Sequence, residues 1–411
     1  MSSPRYAESE ALLARARRVV PGGVYGHQSP RMVVSGAYPY FFERAEGCRI
    51  WDVDGNEFID LMCSYGPIVL GHRHPKVEEA VRQQMQRGDC FNAPTRLWVE
   101  LAEHLVGITP FADWAAFAKN GSDVCTWAVA VSREHTGRRK VVKADGAYHG
   151  AHAWCTPVPA GVTPEDTAHV LTFTYNDLDS LRDVVDAHHG DVAAIIVSPF
   201  RHDAFHDQEL PVEGFLPGIR RLCDEQGIVL ILDDVRAGFR LHLGGSGERF
   251  GVRPDLACYA KALANGYPLS ACVGRAALQD AAERVYFTGS YFTSAVPMAA
   301  ALACLREIDA SGAIAHMERM GLMLQRGLTA QAASHDLEIV YSGPPAIPFM
   351  SFKHDVKFGR SRSFAAACAR GGVYVAPYHN WFLSAAIEEK DINRILEVTD
   401  EAFAALRRNA A

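Results

Sequence analysis

The amino-acid sequence predicts an α/β protein in which a large domain with a mainly parallel sheet is joined by a small α+β domain. Two short apolar runs, Val192–Val197 and residues 228–232, are typical of strands that are covered on both faces, as in a parallel sheet. Between them, Phe215–Gln226 carries apolar side chains along one helical face, and Gly227 follows as a helix-ending residue. Strand, helix and strand at this spacing indicate a β-α-β unit.

The two ends of the chain predict a different arrangement. Residues 48–60 alternate apolar and polar side chains around a turn at Asp54-Gly55 or Gly55-Asn56, which predicts a β-hairpin. Helical periodicity recurs over residues 77–87, 97–106, 124–135, 297–308 and 315–333, and over the last twenty residues. We expect residues 1–64 to begin the small domain, residues 65–305 to form the large domain, and residues 306–411 to complete the small domain.

Composition excludes several classes of protein. The 411 residues are 48% apolar and 22% charged, so the chain can bury a large core and is not intrinsically disordered. Its 41 basic and 48 acidic residues leave a net charge of −7. Because such a chain has no general field that gathers phosphate polymers or anionic lipids, we expect neither a nucleic acid nor a membrane as partner.

The expected cellular location follows from the N-terminus and the cysteines. The start of the chain lacks the apolar core of a signal peptide, and no stretch reaches the ~20 apolar residues that span a bilayer. The ten cysteines are scattered and form no Cys-x-x-Cys pair, which is typical of reduced, mostly buried thiols. Both features predict a cytoplasmic protein.

Two charged residues stand where an α/β sheet positions chemistry. Asp233 follows a buried strand, at the sheet edge where ligands bind in open α/β folds, although an acid there could equally cap the next helix. Lys261 follows an apolar stretch and precedes a turn rich in Gly and Pro. A lysine in an apolar pocket loses its proton readily and becomes a nucleophile for carbonyl groups.

Two weaker motifs precede them in the chain. Gly121 and Ser122 open a predicted helix, where backbone N–H groups can bind a phosphate. Tyr148 and His149 lie between two glycines and could cover a flat ring, although an ordinary loop has the same composition. A phosphate site, an aromatic cover, a strand-end acid and a pocket lysine together suit pyridoxal 5′-phosphate, which needs all four.

In these motifs the chain resembles the class III (subgroup II) pyridoxal-phosphate aminotransferases, and among them the glutamate-1-semialdehyde aminomutase branch. The resemblance extends over nearly the whole chain. It is carried by these stretches, given by their residue numbers: 21–24, 50–56, 71–75, 146–150, 233–240, 251–256, 289–290 and 382–386. It implies the fold-type I architecture of these enzymes and a homodimer with shared active sites.

The resemblance also implies roles for individual residues. Lys261 would carry the cofactor as a Schiff base and shuttle the proton, and Asp233 would pair with the pyridine nitrogen. The other implied cofactor contacts are Gly121, Ser122, Tyr148, His149, Asp203, Val235 and, from the partner subunit, Ser290. The implied substrate residues are Tyr65, Arg31, His379 and Trp381.

Some positions depart from the family pattern. Asp234 replaces the usual Glu, and Asp203 stands about where an asparagine contacts the cofactor's ring hydroxyl. Residues 151–174 are shorter than the lid of the aminomutases. Because a mutase must retain its intermediate until the second transfer, a short lid favours ordinary two-substrate transamination. The alternatives are an isomerase, either an aminomutase or an amine epimerase, and a non-catalytic binding protein on the same scaffold.

The substrate expectation depends on the C-terminal motif and on Arg31. Tyr378, His379, Asn380 and Trp381 supply rings and neutral polar groups that could bind a sugar or hydroxyl groups, or could simply belong to the small-domain core. Arg31 lies out of register with the arginine that grips a carboxylate in the aminomutases. We therefore expect a primary amine or an amino sugar of small-molecule biosynthesis.

Two further motifs do not predict sites. His202 and His206 have a spacing that suits a metal on a helix, but the segment does not read as a helix, so we expect no metal. Gly245 and Gly247 resemble a dinucleotide loop, but the final spacing is wrong and no buried strand precedes them.

Overall fold

The computed structural model describes residues 4–29, 32–34 and 36–410. The strands, in chain order, are β1 Phe42–Glu46, β2 Arg49–Asp52, β3 Glu57–Asp60, β4 Trp114–Ala118, β5 Lys140–Ala144, β6 Val170–Phe173, β7 Val192–Val197, β8 Val229–Asp233, β9 Leu256–Tyr259, β10 Ser270–Gly274, β11 Ile339–Ser342, β12 Phe349–Phe352 and β13 Val373–Tyr374. The α-helices are α1 Ala7–Ala16, α2 Pro75–Met85, α3 Arg96–Ile108, α4 Gly121–Thr136, α5 Pro164–Thr167, α6 Leu178–Ala187, α7 Phe215–Gln226, α8 Ser246–Arg249, α9 Gln279–Arg284, α10 Ala295–Ala310, α11 Ala313–Ser334, α12 Gly359–Arg370 and α13 Glu389–Ala410.

The chain divides into two compact units. Unit 1 combines the described residues up to His74 with Ala204–Gln208 and the described residues from Ala315 onwards. Unit 2 combines Pro75–Asp203 with Glu209–Ile314. Residues 204–208 therefore belong to unit 1 although the chain on both sides of them belongs to unit 2, and nothing in the sequence signals this change.

Unit 2 contains a seven-stranded sheet in the order β4-β10-β9-β8-β7-β5-β6. The neighbours from β9 to β6 pair in parallel, and β10 alone runs antiparallel to both of its neighbours. The predicted mainly parallel α/β sheet is thereby confirmed. Strands β7 and β8 are buried at every position, as their unbroken apolar sequence predicts.

The register of this sheet determines where the chemistry lies. Ala118 at the end of β4 and Tyr259 at the end of β9 pair with adjacent positions of β10. Asp233 at the end of β8 pairs with Cys258 of β9. The carboxyl ends of the parallel strands therefore line one edge of the sheet, and the loops that follow them open at that edge.

Unit 1 is built on a four-stranded sheet in the order β1-β2-β3-β13, with a separate β11-β12 hairpin. The predicted hairpin of β2 and β3 is confirmed, and its turn is held by Asp52 Oδ1, which accepts hydrogen bonds from the N–H groups of Asp54 and Asn56 at 3.0 and 2.7 Å. A hydrophobic core that includes Phe58, Phe364 and Ile395 forms in this unit.

Glycine positions offer a test of packing in unit 2. A Cβ at Gly274 in β10 would overlap the ring of Trp114, whereas a Cβ at Gly107 in α3 would meet nothing. We expect Gly274→Ala to lower the free energy of unfolding by about 1–3 kcal/mol through overpacking. The control Gly107→Ala should be neutral or stabilising by up to about 1 kcal/mol, because alanine favours the helix. Denaturant unfolding measures both, and equal effects would contradict the packing.

Candidate active site

Asp233 is a buried carboxylate at the end of β8, near the centre of the sheet. Its Oδ2 lies 2.6 Å from Nδ1 of His149, and its Oδ1 accepts the N–H of Val235 at 3.2 Å. His149 is itself buried, and its Nε2 has no hydrogen-bond partner among the described residues. The imidazole therefore fixes the orientation of one carboxylate oxygen, and the charge of Asp233 stays available at the sheet edge.

Lys261 follows β9 by two residues and begins a short 3₁₀ turn, with φ of +42°. Burial, then the positive charge of Arg236, lowers the pKa of Lys261 to about 7, against the opposing attraction of Asp233. A large share of this amine is therefore neutral near pH 7, which is the form that attacks carbonyl groups.

The N-terminus of α4 is shaped by two glycines. A Cβ at Gly121 would lie 2.9 Å from Cγ1 of Val235, and a Cβ at Gly150 would lie 2.6 Å from Oγ of Ser122. Ser122 Oγ accepts the N–H of Ala151 at 3.0 Å. Glycine at these two positions therefore avoids an overlap with Val235 in one case and with Ser122 in the other, at a helix start of the kind that can bind a phosphate.

Asp203 lies in the loop that follows β7. Its Oδ2 accepts a hydrogen bond from Nε of Arg201 at 2.8 Å and would lie 2.9 Å from a Cβ at Gly146. Tyr148 remains 42% exposed, so one part of its ring is open, while burial of the rest raises the pKa of its phenol.

Arg236 is a further charged residue that acts on Lys261 and is acted on by Asp233, and sequence reasoning missed it. It is buried, and burial lowers the pKa of its guanidinium to about 10 against the attraction of Asp233, Asp203 and Tyr148. Its only signal in the sequence was its position three residues after a strand-end acid. An arginine at that position is ordinarily an exposed residue, so the signal was weak.

Asp234 points away from this chemistry. Its Oδ1 accepts a hydrogen bond from Oγ of Ser246 at 2.5 Å, and its Oδ2 accepts the Ser246 N–H at 2.7 Å. Burial raises the pKa of Asp234 to about 7. Asp234 therefore contacts the start of α8, and nothing in the structure explains why it replaces Glu.

Ser290 lies in an exposed loop of unit 2. Its neighbours Tyr286 and Tyr291 are 88% and 66% exposed. Large aromatic side chains so exposed are typical of a surface that meets another protein.

The predicted substrate residues of unit 1 divide into three groups. Tyr65 and His379 lie together, with ring centroids 5.2 Å apart in an edge-on arrangement, and both line a cavity of about 70 Å³. Trp381 is instead buried in the hydrophobic core, where its Nε1 donates to the carbonyl oxygen of Ala376 at 2.9 Å. Arg31 lies outside the described residues.

The remaining motifs of the sequence have structural explanations. Phe205, between His202 and His206, stacks on Tyr378 with ring centroids 4.6 Å apart, and within the described ranges no three His, Cys, Asp or Glu side chains come together as a metal site would require. Gly245 precedes the single turn of α8. All ten cysteines are free thiols, and only Cys90 is exposed. No helix in the described part of the chain has the length and apolar character needed to span a lipid bilayer.

Known proteins are similar to this chain in sequence and in fold. Residues 32–402 match the class III aminotransferase family. An aminopentol aminotransferase of Sphingopyxis macrogoltabida is 47% identical over 400 residues, which cover 97% of this chain and 94% of the relative. A 3-aminobutyryl-CoA aminotransferase of Cloacimonas acidaminovorans (strain Evry) is 32% identical over 409 residues, with 98% of each chain covered.

Solved structures agree with these matches. The PLP internal aldimine form of the FumI protein of Sphingopyxis sp. MTA144 has a TM-score of 0.96 and 47% identity, over 98% of this chain and 97% of that one. A glutamate-1-semialdehyde aminomutase of Pseudomonas aeruginosa PAO1 has a TM-score of 0.87 at 22% identity, over 98% of this chain and 95% of that one, a likeness that concerns the fold alone.

The residues of unit 2 fit pyridoxal phosphate. Glycine at 121 and 150 leaves no Cβ beside Ser122, which suits a phosphate at the start of α4. Asp233, with its orientation fixed by His149, suits a protonated pyridine nitrogen. Lys261, with its lowered pKa, suits an aldehyde.

The lowered pKa of Lys261 predicts unusual reactivity in the cofactor-free protein. Above about pH 7 the amine is mostly neutral, so its acylation by acetic anhydride should rise with a midpoint near pH 7. Peptide mass spectrometry measures the labelling, with the half-exposed Lys353 as internal reference. Arg236→Gln should raise the midpoint, because a positive neighbour is removed. A midpoint above about pH 9 in the unsubstituted protein would contradict the burial of the amine.

Proposed function

The chain belongs to the class III, pyridoxal-phosphate-dependent aminotransferases, and from this premise we propose that it removes the amino group from a hydroxylated, non-acidic primary amine. The observation that carries the proposal is the lining of the cavity at Tyr65 and His379. Its other lining residues include His27, Tyr38, Tyr374 and Tyr378, and no Lys or Arg lines it among the described residues. A substrate carboxylate would need such a cation, whereas hydroxyl groups bind to neutral polar rings.

The relative at 47% identity supports this choice of substrate, because its name identifies an aminopentol as the compound on which it acts. We propose that Tyr65 and His379 contact the amine substrate. Trp381 is left out of the proposed contacts because it is packed inside the core of unit 1. A role of Arg31 in substrate binding stays a proposal from the sequence alone.

We propose that Lys261 and Asp233 perform the central chemistry. When bound, pyridoxal phosphate supplies an electron-accepting ring that makes the carbon bearing the amino group acidic. Lys261 would hold the cofactor through Nζ. Once the amine has displaced it, the Nζ would take the proton from that carbon and deliver it to the C4′ carbon of the cofactor. A pKa of about 7 suits both directions of transfer near neutral pH. Asp233 would keep the pyridine nitrogen protonated, and His149 would hold Asp233 in place.

The other cofactor contacts are assigned by position. Gly121 and Ser122 would bind the phosphate at the start of α4, and Val235 and Tyr148 would cover the two faces of the ring. Asp203 would contact the ring hydroxyl; its Oδ2 already accepts from Arg201 at 2.8 Å, which leaves Oδ1 for that contact.

A homodimer completes the proposed site. Ser290 would reach the phosphate bound by a second copy of the chain, and the exposure of Tyr286 and Tyr291 beside it supports an interface there. We also propose a cytoplasmic location, which the free thiols support.

An isomerase is the second candidate, because an aminomutase of the same fold is known and would use the same lysine. The short segment of residues 151–174 favours the transferase, since a mutase needs a lid that retains its intermediate. An isomerase would turn over an amine without a keto acid, and a binding protein would not turn it over at all. The need for a keto acid therefore separates the three.

Substitutions at the two central residues test the roles. Lys261→Ala and Asp233→Asn should each lower kcat by at least about 10²-fold, the first by removing the proton carrier and the second by removing the charge that protonates the ring. Stopped-flow absorbance of the cofactor in single turnover gives the rates. Lys353→Ala, at the surface, is the matched control and should retain the rate. Transamination that survives in Lys261→Ala would refute the assignment.

A substrate panel tests the specificity. We expect kcat/KM for D-glucamine, a primary amine with hydroxyl groups, to exceed that for β-alanine or L-glutamate by on the order of tenfold, since only the acids need a cationic partner. Coupled assays of the keto acid consumed provide the measurement. A strong preference for α-amino acids that disappears in Arg31→Ala would instead indicate a carboxylate clamp.

A further inference from the structure

The chain after β3 turns through three successive left-handed residues. Cys63, Ser64 and Tyr65 have φ values of +48°, +54° and +63°, and none of them is glycine. Residues with a Cβ rarely adopt this conformation, and they do so singly rather than in runs. Such a run persists only where neighbouring groups hold it, and backbone of this kind concentrates at functional sites.

Asp60, the last residue of β3, holds this left-handed turn. Its Oδ1 accepts the N–H of Met62 at 2.8 Å and the N–H of Cys63 at 3.0 Å. The residue is 3% exposed. Because a buried carboxylate is costly unless its oxygens are hydrogen-bonded, the turn and the acid require each other.

His72 supports the second oxygen of Asp60. Its Nε2 lies 2.9 Å from Asp60 Oδ2. The backbone of His72 is fixed in turn by two hydrogen bonds with Gly47, one in each direction, at 3.0 and 2.7 Å. The carboxylate is therefore held on both oxygens, by the turn on one side and by a fixed imidazole on the other.

The residue that this turn presents is Tyr65. Its ring meets His27 and His379 edge-on, with centroids 4.3 and 5.2 Å apart, and its hydroxyl donates to the carbonyl oxygen of His27 at 3.2 Å. Met62 and Tyr65 line both the cavity of about 70 Å³ and a second one of about 450 Å³. The turn therefore contributes to the walls of two cavities in unit 1.

We propose that Asp60 and His72 are positioning residues of the amine site, which act by holding the left-handed turn that places Tyr65 against the substrate. The inference rests on the proposed function, in which Tyr65 contacts the amine. Without the carboxylate the N–H groups of Met62 and Cys63 lose their acceptor, and the three residues relax towards ordinary backbone. The ring of Tyr65 then leaves its place between His27 and His379.

The test compares two buried carboxylates of the same unit. Asp60→Ala is measured against Asp52→Ala, because Asp52 is 2% exposed and also accepts two backbone N–H groups, in the turn between β2 and β3. With the holoenzyme, D-glucamine and a small keto acid as probes, Asp60→Ala should raise KM for the amine by on the order of tenfold, with a smaller change in kcat. Asp52→Ala should lower the thermal midpoint comparably and leave that KM unchanged.

Two further variants separate positioning from general stability. Adding Asp60→Ala to Tyr65→Ala should change the amine KM no further, because the effect passes through Tyr65. Adding Ser64→Gly to Asp60→Ala should recover much of the KM, because glycine adopts positive φ without cost. An additive double variant, or no recovery, would overturn the proposal.

The outcomes also distinguish this inference from the proposed function. If Tyr65→Ala leaves the amine KM unchanged, the proposed substrate contact fails and the inference fails with it. If Tyr65→Ala raises KM while a folded Asp60→Ala does not, the inference alone fails. If Asp60→Ala does not fold, His72→Ala replaces it, since that change removes the support of Asp60 but keeps the acceptor of the turn. An unchanged amine KM in His72→Ala would then reject the proposal.

Discussion

The charge of Asp233 is the interaction on which the proposed chemistry of this protein depends. A carboxylate at the end of a buried strand is stable only when other groups compensate it, and here those groups are His149, the N–H of Val235 and nearby cationic side chains. The same charge acts on the pKa values of Arg236 and Lys261, in both cases against the effect of burial. A change at Asp233 would therefore alter the protonation of the lysine as well as the proposed partner of the cofactor nitrogen.

Burial and neighbouring charges together determine the pKa values of Arg236 and Lys261. Burial disfavours the charged form of both, but the guanidinium starts from so high a pKa that it stays positive at about 10. Its charge then disfavours a second positive charge on Lys261, whose pKa falls to about 7. The pocket thus keeps one cation permanently charged and leaves the other free to exchange a proton near neutral pH.

The sequence predicted the parts of the structure that depend on local pattern. Strands β7 and β8 are recognisable because they are continuously apolar, and the register of a parallel sheet then brings their carboxyl ends to one edge. Asp233 and Lys261 could be selected as candidates because a charge next to such a strand is unusual. The helices that periodicity predicted begin within three residues of their predicted starts, since each carries one apolar face, whereas α1, α6 and α12 were not predicted.

Other features depend on contacts that a single sequence does not display. Trp381 is a ring that could line a pocket or fill a core, and only the packing in unit 1 places it in the core. Arg236 has no neighbour in sequence that reveals its burial. The left-handed turn at residues 63–65 contains no glycine that would signal it. Asp60, whose second oxygen contacts His72, holds it.

The candidate site residues of the two units differ in their chemistry. Unit 2 brings together an acid, a guanidinium and an amine: Asp233 and Arg236 shift the pKa of Lys261 in opposite directions. The two cavities that Tyr65 lines in unit 1 are bordered mostly by rings and apolar side chains, although Glu43, Arg44 and Asp60 line the larger one. The carboxylate of Asp60 is occupied by the turn and by His72. A charge already satisfied in this way attracts little further, so it adds rigidity rather than affinity for ions. Under the proposed function, the residues of unit 2 would perform the chemistry and those of unit 1 would select the amine.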